Sequence, residues 1–249
     1  MRVLYRDELV LAVDKPAGVV TIPGRTEEQR DALSAEVRVL APGALVVHRL
    51  DRDTSGIVLF GLTRVAHRAL NVAFESRRAE KTYLALVRGD LPASLRCDLP
   101  LVEARRGAMR VADAGNARAR RARTDFAPLE RFGAVTFCSC RPLTGRTHQI
   151  RVHLAALGHA LLVDPRYGES RPVQRRDLFP GCADPEGIAL ARTPLHAAAL
   201  RIPHPAGRGF LQVEAPLPDD LSSCLDLLRA ARRAAAISPS RGRASSRPP

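Results

Sequence analysis

Short apolar stretches at residues 2–5 and 9–14 read as strands, the second ending where Lys15-Pro16 breaks it. Residues 27–40 read as a helix closed by Pro42-Gly43, and residues 44–47 as a strand. An unbroken apolar run marks residues 57–62 as a buried strand. Helical spacing then covers 64–78, with Val65, Ala69, Val72 and Ala73 on one side, and a strand at 82–87 follows at once. Strands are expected at 122–130 and 134–141, a helix at 147–157, strands at 195–202 and 209–214, and a helix at 218–235. Residues 105–123 and 168–192 show little periodicity, and the second reads as a long loop rich in Arg, Pro and Gly. No internal repeat is present. Strands and helices in mixed order predict an α+β fold with a largely antiparallel sheet.

Composition narrows the class. A chain of 249 residues with 45% apolar content can bury a good-sized core without metal or disulfides. One domain over residues 1–235 is expected, followed by a disordered basic tail at 236–249 made of Ser, Arg, Gly and Pro. The five cysteines, Cys97, Cys138, Cys140, Cys182 and Cys224, form neither a Cys-x-x-Cys pair nor a metal-binding ladder, which fits a reduced cytoplasm. Cys138 and Cys140 fall on one face of a strand as core thiols. No signal sequence opens the chain, and no apolar run approaches the ~20 residues of a membrane span. The net charge of +13 suits a polyanion, but Lys15 and Lys81 are the only lysines, so an Arg-rich composition accounts for much of it. The seven arginines of 105–123 read either as an RNA-contacting loop or hairpin or as a solvated surface loop.

The candidate chemistry lies in two long motifs. The run His48-Arg49-Leu50-Asp51-Arg52-Asp53-Thr54-Ser55-Gly56 sets Asp51 between two arginines just before the buried strand. Flanking guanidinium groups favour an ionised carboxylate, the state a carboxylate nucleophile needs. A structural Asp in a turn is the plain alternative. Roughly a hundred residues on stands Thr144-Gly145-Arg146-Thr147-His148-Gln149-Ile150-Arg151-Val152-His153. Neither a His-Glu-x-x-His spacing nor a Gly-x-Ser-x-Gly elbow occurs, so zinc and serine-nucleophile chemistry are not indicated.

Together these motifs resemble those of the RluA-type family of RNA pseudouridine synthases. Shorter markers follow in that family's order: Asp14-Lys15-Pro16-Ala17-Gly18, Lys81-Thr82-Tyr83, Asp164 to Tyr167-Gly168, and Leu195-His196-Ala197. The resemblance spans residues 8–216. It departs at Val163-Asp164, where relatives commonly have Gly-Asp, and at Pro165-Arg166 before Tyr167.

The resemblance implies the pseudouridine synthase fold, a bent, mainly antiparallel mixed sheet with a central cleft, here without the N-terminal RNA-binding domain some relatives carry. It implies isomerisation of uridine in structured RNA, rRNA or tRNA, by a cytoplasmic monomer using no cofactor, metal or membrane. Asp51 would be the catalytic carboxylate, Arg146 its cationic partner across the cleft, and Tyr83 the aromatic that stacks on uracil and takes part in proton transfer. Arg49 would fill the space of a flipped base or bind a neighbouring phosphate. His48, Leu50, Thr147, His148, Gln149, Ile150 and Arg151 complete the expected substrate-binding set, Leu50 and Ile150 as pocket wall or core. The reading from another class is a non-catalytic RNA-binding or chaperone-like protein that kept the fold.

Overall fold

The computed structural model describes residues 1–24 and 31–237. Of the tail expected at 236–249, residues 236 and 237 are helical instead, and the rest from 238 onward lies outside the described residues, as does the start of the helix expected at 27–40. In chain order the elements are β1 (Arg2–Arg6), β2 (Val10–Lys15), α1 (Leu33–Leu40), β3 (Leu45–Val46), β4 (Ser55–Gly61), α2 (Arg64–Glu75) and β5 (Glu80–Arg88). There follow β6 (Leu95–Cys97), β7 (Leu101–Glu103), β8 (Met109–Val111), β9 (Thr124–Arg131), β10 (Val135–Pro142) and α3 (Gln149–Ala156). The chain continues through β11 (Val173–Gln174), α4 (Arg175–Leu178), β12 (Ile188–Leu190), β13 (Leu195–Pro203), β14 (Phe210–Glu214) and α5 (Asp219–Ile237).

Ten strands form one mixed sheet in the order β1-β2-β4-β13-β5-β10-β9-β6, with β3 beside β4 and β14 beside β13. Every pairing is antiparallel except β4 with β13, where Ser55 and Gly56 meet His196 and Ala197. The α+β class is therefore as expected. Strand β13 joins two half-sheets, β1-β2-β4 and β5-β10-β9-β6.

Each half is covered on both faces, and this explains its continuous apolar strands. On one side of the first half, Val10, Ala12, Ile57 and Leu59 meet Leu70 and Ala73 of α2. On the other, Leu11, Val13, Val58 and Phe60 meet Leu33 and Val37 of α1. In the second half, Ala85 and Cys138 pack on Ile150 and Leu154 of α3, while Leu86, Val135 and Phe137 pack on Leu221, Leu225 and Leu228 of α5. Burying a side chain such as Leu70 or Leu225 contributes about 1.5–3 kcal/mol, so these four clusters supply much of the stability of the two halves.

The structure corrects three expectations. Helix α2 buries Ala66, Leu70 and Ala73, leaving Val65 and Val72 exposed, a face rotated from the one read in the sequence. The reason is close approach: a Cβ on Gly61 would lie 2.6 Å from the Cα of His67, so the start of the helix lies directly against β4 and turns its Ala66–Leu70–Ala73 side to the sheet. Thr63 caps it by accepting the Ala66 N–H at 3.1 Å. Second, residues 168–192 are not one loop, because β11 and β12 pair and α4 lies between them. Third, strand β6 was not foreseen. The 105–123 segment takes up part of a hairpin, with β7 paired to β8.

Candidate active site

The loop carrying Asp51 is fixed from below by residues near the N-terminus. Lys15, at the end of β2, is fully buried, and its Nζ donates to the carbonyls of Pro16, Val19 and Arg52 at 2.7–2.9 Å. Burial pushes its pKa down to about 8, with the Asp53 carboxylate opposing that shift. Gly18 and Arg52 exchange two further bonds, Gly18 N–H to the Arg52 carbonyl and Arg52 Nε to the Gly18 carbonyl. Thr21 binds both the N–H and the carbonyl of Leu50, and Leu50 itself is core. Asp51 thus sits on a loop whose flanking peptides are tied to β2 and its following turn.

A cleft of about 550 Å³ opens above this loop, where the two half-sheets meet. Its lining includes His48, Arg49, Leu50, Asp51, Tyr83 and the whole run from Pro142 to Arg151. The two long motifs therefore come together in one cavity. Tyr83 stands on β5 directly opposite Ala197 of β13. Burial, helped by the Asp51 charge, pushes its phenol pKa upward and keeps it protonated. Burial likewise drives His48 down to about 3, with the Lys81 charge acting in the same sense, so this imidazole is neutral. Its Nε2 accepts the Leu59 N–H at 3.1 Å and its ring lies 4.8 Å from Phe74. Arg49 is exposed at the rim.

The cationic partner of Asp51 is Arg151, not Arg146. Arg151 donates through Nη1 to Asp51 Oδ2 at 3.2 Å, and through Nε and Nη2 to both oxygens of Asp164 at 2.8 and 2.7 Å. Burial opposes its charge, but these two carboxylates push its pKa up. Burial also acts to raise Asp164, yet Arg151 and the backbone N–H groups of Arg166 and Tyr167 bring it below its ordinary value. Arg146 lies exposed in the turn before α3, where its Nε donates to the Arg121 carbonyl at 3.2 Å. The cause is helical register. His148 adopts a left-handed conformation (φ 53°) at the N-cap, α3 starts at Gln149, and the first turn then presents Arg151 to the cleft floor.

The other motif residues divide by task. Gln149 is buried and ties the segment together, accepting from Thr144 Oγ1 and Arg146 N–H and donating to Arg123 and Thr124. Ile150 is core, and Thr147 is exposed at the cleft. His148 reaches Tyr167 Oη with Nδ1 at 2.7 Å and places Nε2 3.6 Å from Asp51 Oδ2. His153 faces elsewhere, toward Thr124 and the Leu99 carbonyl. Asp164, which holds Arg151 from the side away from Asp51, has no role in the sequence reading beyond that of a family marker. What marks it in the sequence is its place before Tyr167-Gly168, thirteen residues beyond Arg151.

With this geometry in place, the likeness to known proteins is decisive. Residues 9–156 match the family model described as RNA pseudouridylate synthase. The chain belongs to the RNA pseudouridylate synthase family. It is 37% identical over 234 residues to ribosomal large subunit pseudouridine synthase D of Nitrosomonas europaea, covering 92% of this chain and 65% of that protein. It is also 37% identical over 240 residues to ribosomal large subunit pseudouridine synthase C of Escherichia coli O157:H7, covering 92% of this chain and 70% of the other. Among solved structures it resembles human RNA pseudouridylate synthase domain containing 1, with a TM-score of 0.69 at 28% identity, over 97% of this chain and 96% of that one. For this pseudouridylate synthase family member, no three His, Cys, Asp or Glu side chains among the described residues gather as a metal site. No described helix is long and apolar enough to cross a membrane.

Proposed function

We propose that this chain isomerises uridine to pseudouridine in large-subunit ribosomal RNA, acting as a cytoplasmic monomer with Asp51 as the reacting carboxylate. The observation that carries the reading is a part-exposed carboxylate, 25% accessible, aimed into a cleft and held by the buried guanidinium of Arg151. The reaction breaks the N1–C1′ bond of uridine, turns the retained base and forms a C5–C1′ bond. C5 loses a proton and N1 gains one, so no redox partner or transferred group is required.

Asp51 lines the cleft that takes the flipped nucleotide and is the carboxylate that faces it there. Arg151 keeps that carboxylate oriented, while Asp164 occupies the rest of its fork. Tyr83 presents its ring to the uracil, and its protonated phenol offers a hydrogen bond to the detached base. Arg49, at the rim, takes the place of the extruded base or a neighbouring phosphate. The ribosomal substrate rests on the names of the two relatives above.

The test is single-turnover tritium release from large-subunit rRNA and tRNA transcripts carrying 5-tritiated uridine, comparing wild type with Asp51→Asn at equal RNA occupancy. Wild type should release tritium from the ribosomal transcript and the variant none. Release from tRNA alone would replace the substrate. Tight binding without release from either would leave a non-catalytic RNA-binding protein.

A further inference from the structure

A line of polar contacts links the β7–β8 hairpin to Asp51. The Met109 N–H of β8 donates to Tyr167 Oη at 2.9 Å, and Tyr167 Oη lies 2.7 Å from His148 Nδ1. The opposite ring nitrogen, His148 Nε2, lies 3.6 Å from Asp51 Oδ2. We propose that Tyr167 is a positioning residue, whose hydroxyl sets the tautomer and ring orientation of His148 so that an Nε2–H faces Asp51. This rests on the reading of Asp51 given above.

The proton assignment follows from donor and acceptor capacity. A backbone amide can only donate, so Tyr167 Oη accepts from Met109 and has its single proton left to give. Among the described residues the acceptor within reach is His148 Nδ1. An imidazole that accepts at Nδ1 and is neutral carries its proton on Nε2, the atom turned to the carboxylate. Ring orientation is fixed as well. His148 is held in the left-handed backbone region, and its ring meets that of Tyr167 edge-on at 5.5 Å. The face of Tyr167 also lies 5.2 Å from the Arg151 guanidinium, so the aromatic ring and the hydroxyl have separable tasks.

The charged groups around His148 are Asp51 and Asp164, which favour an imidazolium, and Arg151 and Arg166, which oppose it. Burial is the largest influence and keeps the ring neutral. A hydrogen bond accepted by Nδ1 favours the same neutral form, so its removal must raise the pH at which His148 takes up a proton.

The experiment is Tyr167→Phe in the full chain, which keeps the ring and deletes the hydroxyl. Histidine ¹⁵N spectra across pH 5–8 should place the wild-type His148 proton on Nε2. The variant should show mixed tautomers and a higher protonation midpoint. Single-turnover tritium release should slow by about tenfold at unchanged RNA half-saturation, the worth of one neutral hydrogen bond. Its acid limb should move to higher pH with the midpoint. An Nδ1–H tautomer in wild type, or a variant with unaltered tautomer and midpoint, overturns the proposal. The spectra need no substrate, so they decide the positioning role even where wild type releases no tritium, an outcome that counts against the reaction instead.

Discussion

Asp51 and Asp164 share one guanidinium, and the consequences of losing it differ on the two sides. Asp164 is buried, so Arg151→Ala strands a carboxylate that already sits against a desolvation penalty. Breaking one side of a buried pair costs about 3–5 kcal/mol, and urea denaturation should show a loss of that order. Tritium release should disappear with it. Arg146 makes one side-chain bond to a carbonyl from an exposed position, so Arg146→Ala should change unfolding free energy by no more than about 0.5 kcal/mol. The sequence could not separate these two arginines. Both lie in one motif, and the choice depends on where α3 begins, which His148 decides by its left-handed turn. Asp51, by contrast, stands out within one short run, His48 to Gly56, although the residues that anchor its loop, Lys15, Gly18 and Thr21, come from a separate segment near the N-terminus.

At the scale of elements, the hydrophobic pattern located most strands and helices, but it did not choose between faces. Helix α2 has apolar residues on more than one side, and the deciding feature is the contact between Gly61 and His67, which no periodicity encodes. Strand β6 is only three residues long, too short for an alternation signal. Two junctions between elements give measurable consequences. Gly56 has φ +110°, and a Cβ there would fall 2.3 Å from the Ala197 carbonyl oxygen, where β4 meets β13. Gly56→Ala should therefore destabilise the protein by on the order of 3 kcal/mol, read as a lower melting temperature.

The second junction is the turn between β1 and β2. Asp7 accepts the Leu9 and Val10 N–H groups there and pairs with His204 beyond β13 at 2.8 Å. Partial burial works to raise its pKa, but these bonds and one from Tyr5 outweigh it and bring the value down from 3.8 to about 2. A folded-state value below the unfolded one gives stability that is complete above about pH 4 and disappears as pH falls through 2. Wild type should lose stability over that window, and Asp7→Asn should flatten this part of the curve in acid titrations followed by circular dichroism.

The whole molecule carries a net charge of +13, and Arg49, Arg77, Lys81 and Arg146 line the cleft itself. Phosphate contacts by such groups release counterions, so RNA affinity should fall with salt at a logarithmic slope of about −0.7 per phosphate engaged on single-stranded segments. Measured in an Asp51→Asn background to prevent turnover, Arg77→Ala should reduce that slope by about 0.7. A slope unchanged by the substitution would take Arg77 off the RNA path.

The strand order has one more implication, and it concerns time. β13 joins the two half-sheets, yet in chain order it follows every strand of either half. Until residues 195–203 emerge, the nascent chain holds two half-sheets, each with an inner edge unpaired, and the walls that carry Asp51 and Arg151 lack a common frame. The contact between Asp51 and Arg151 therefore awaits a strand made after both of its walls, and a nascent chain that stops short of β13 carries the two motifs without the cleft between them.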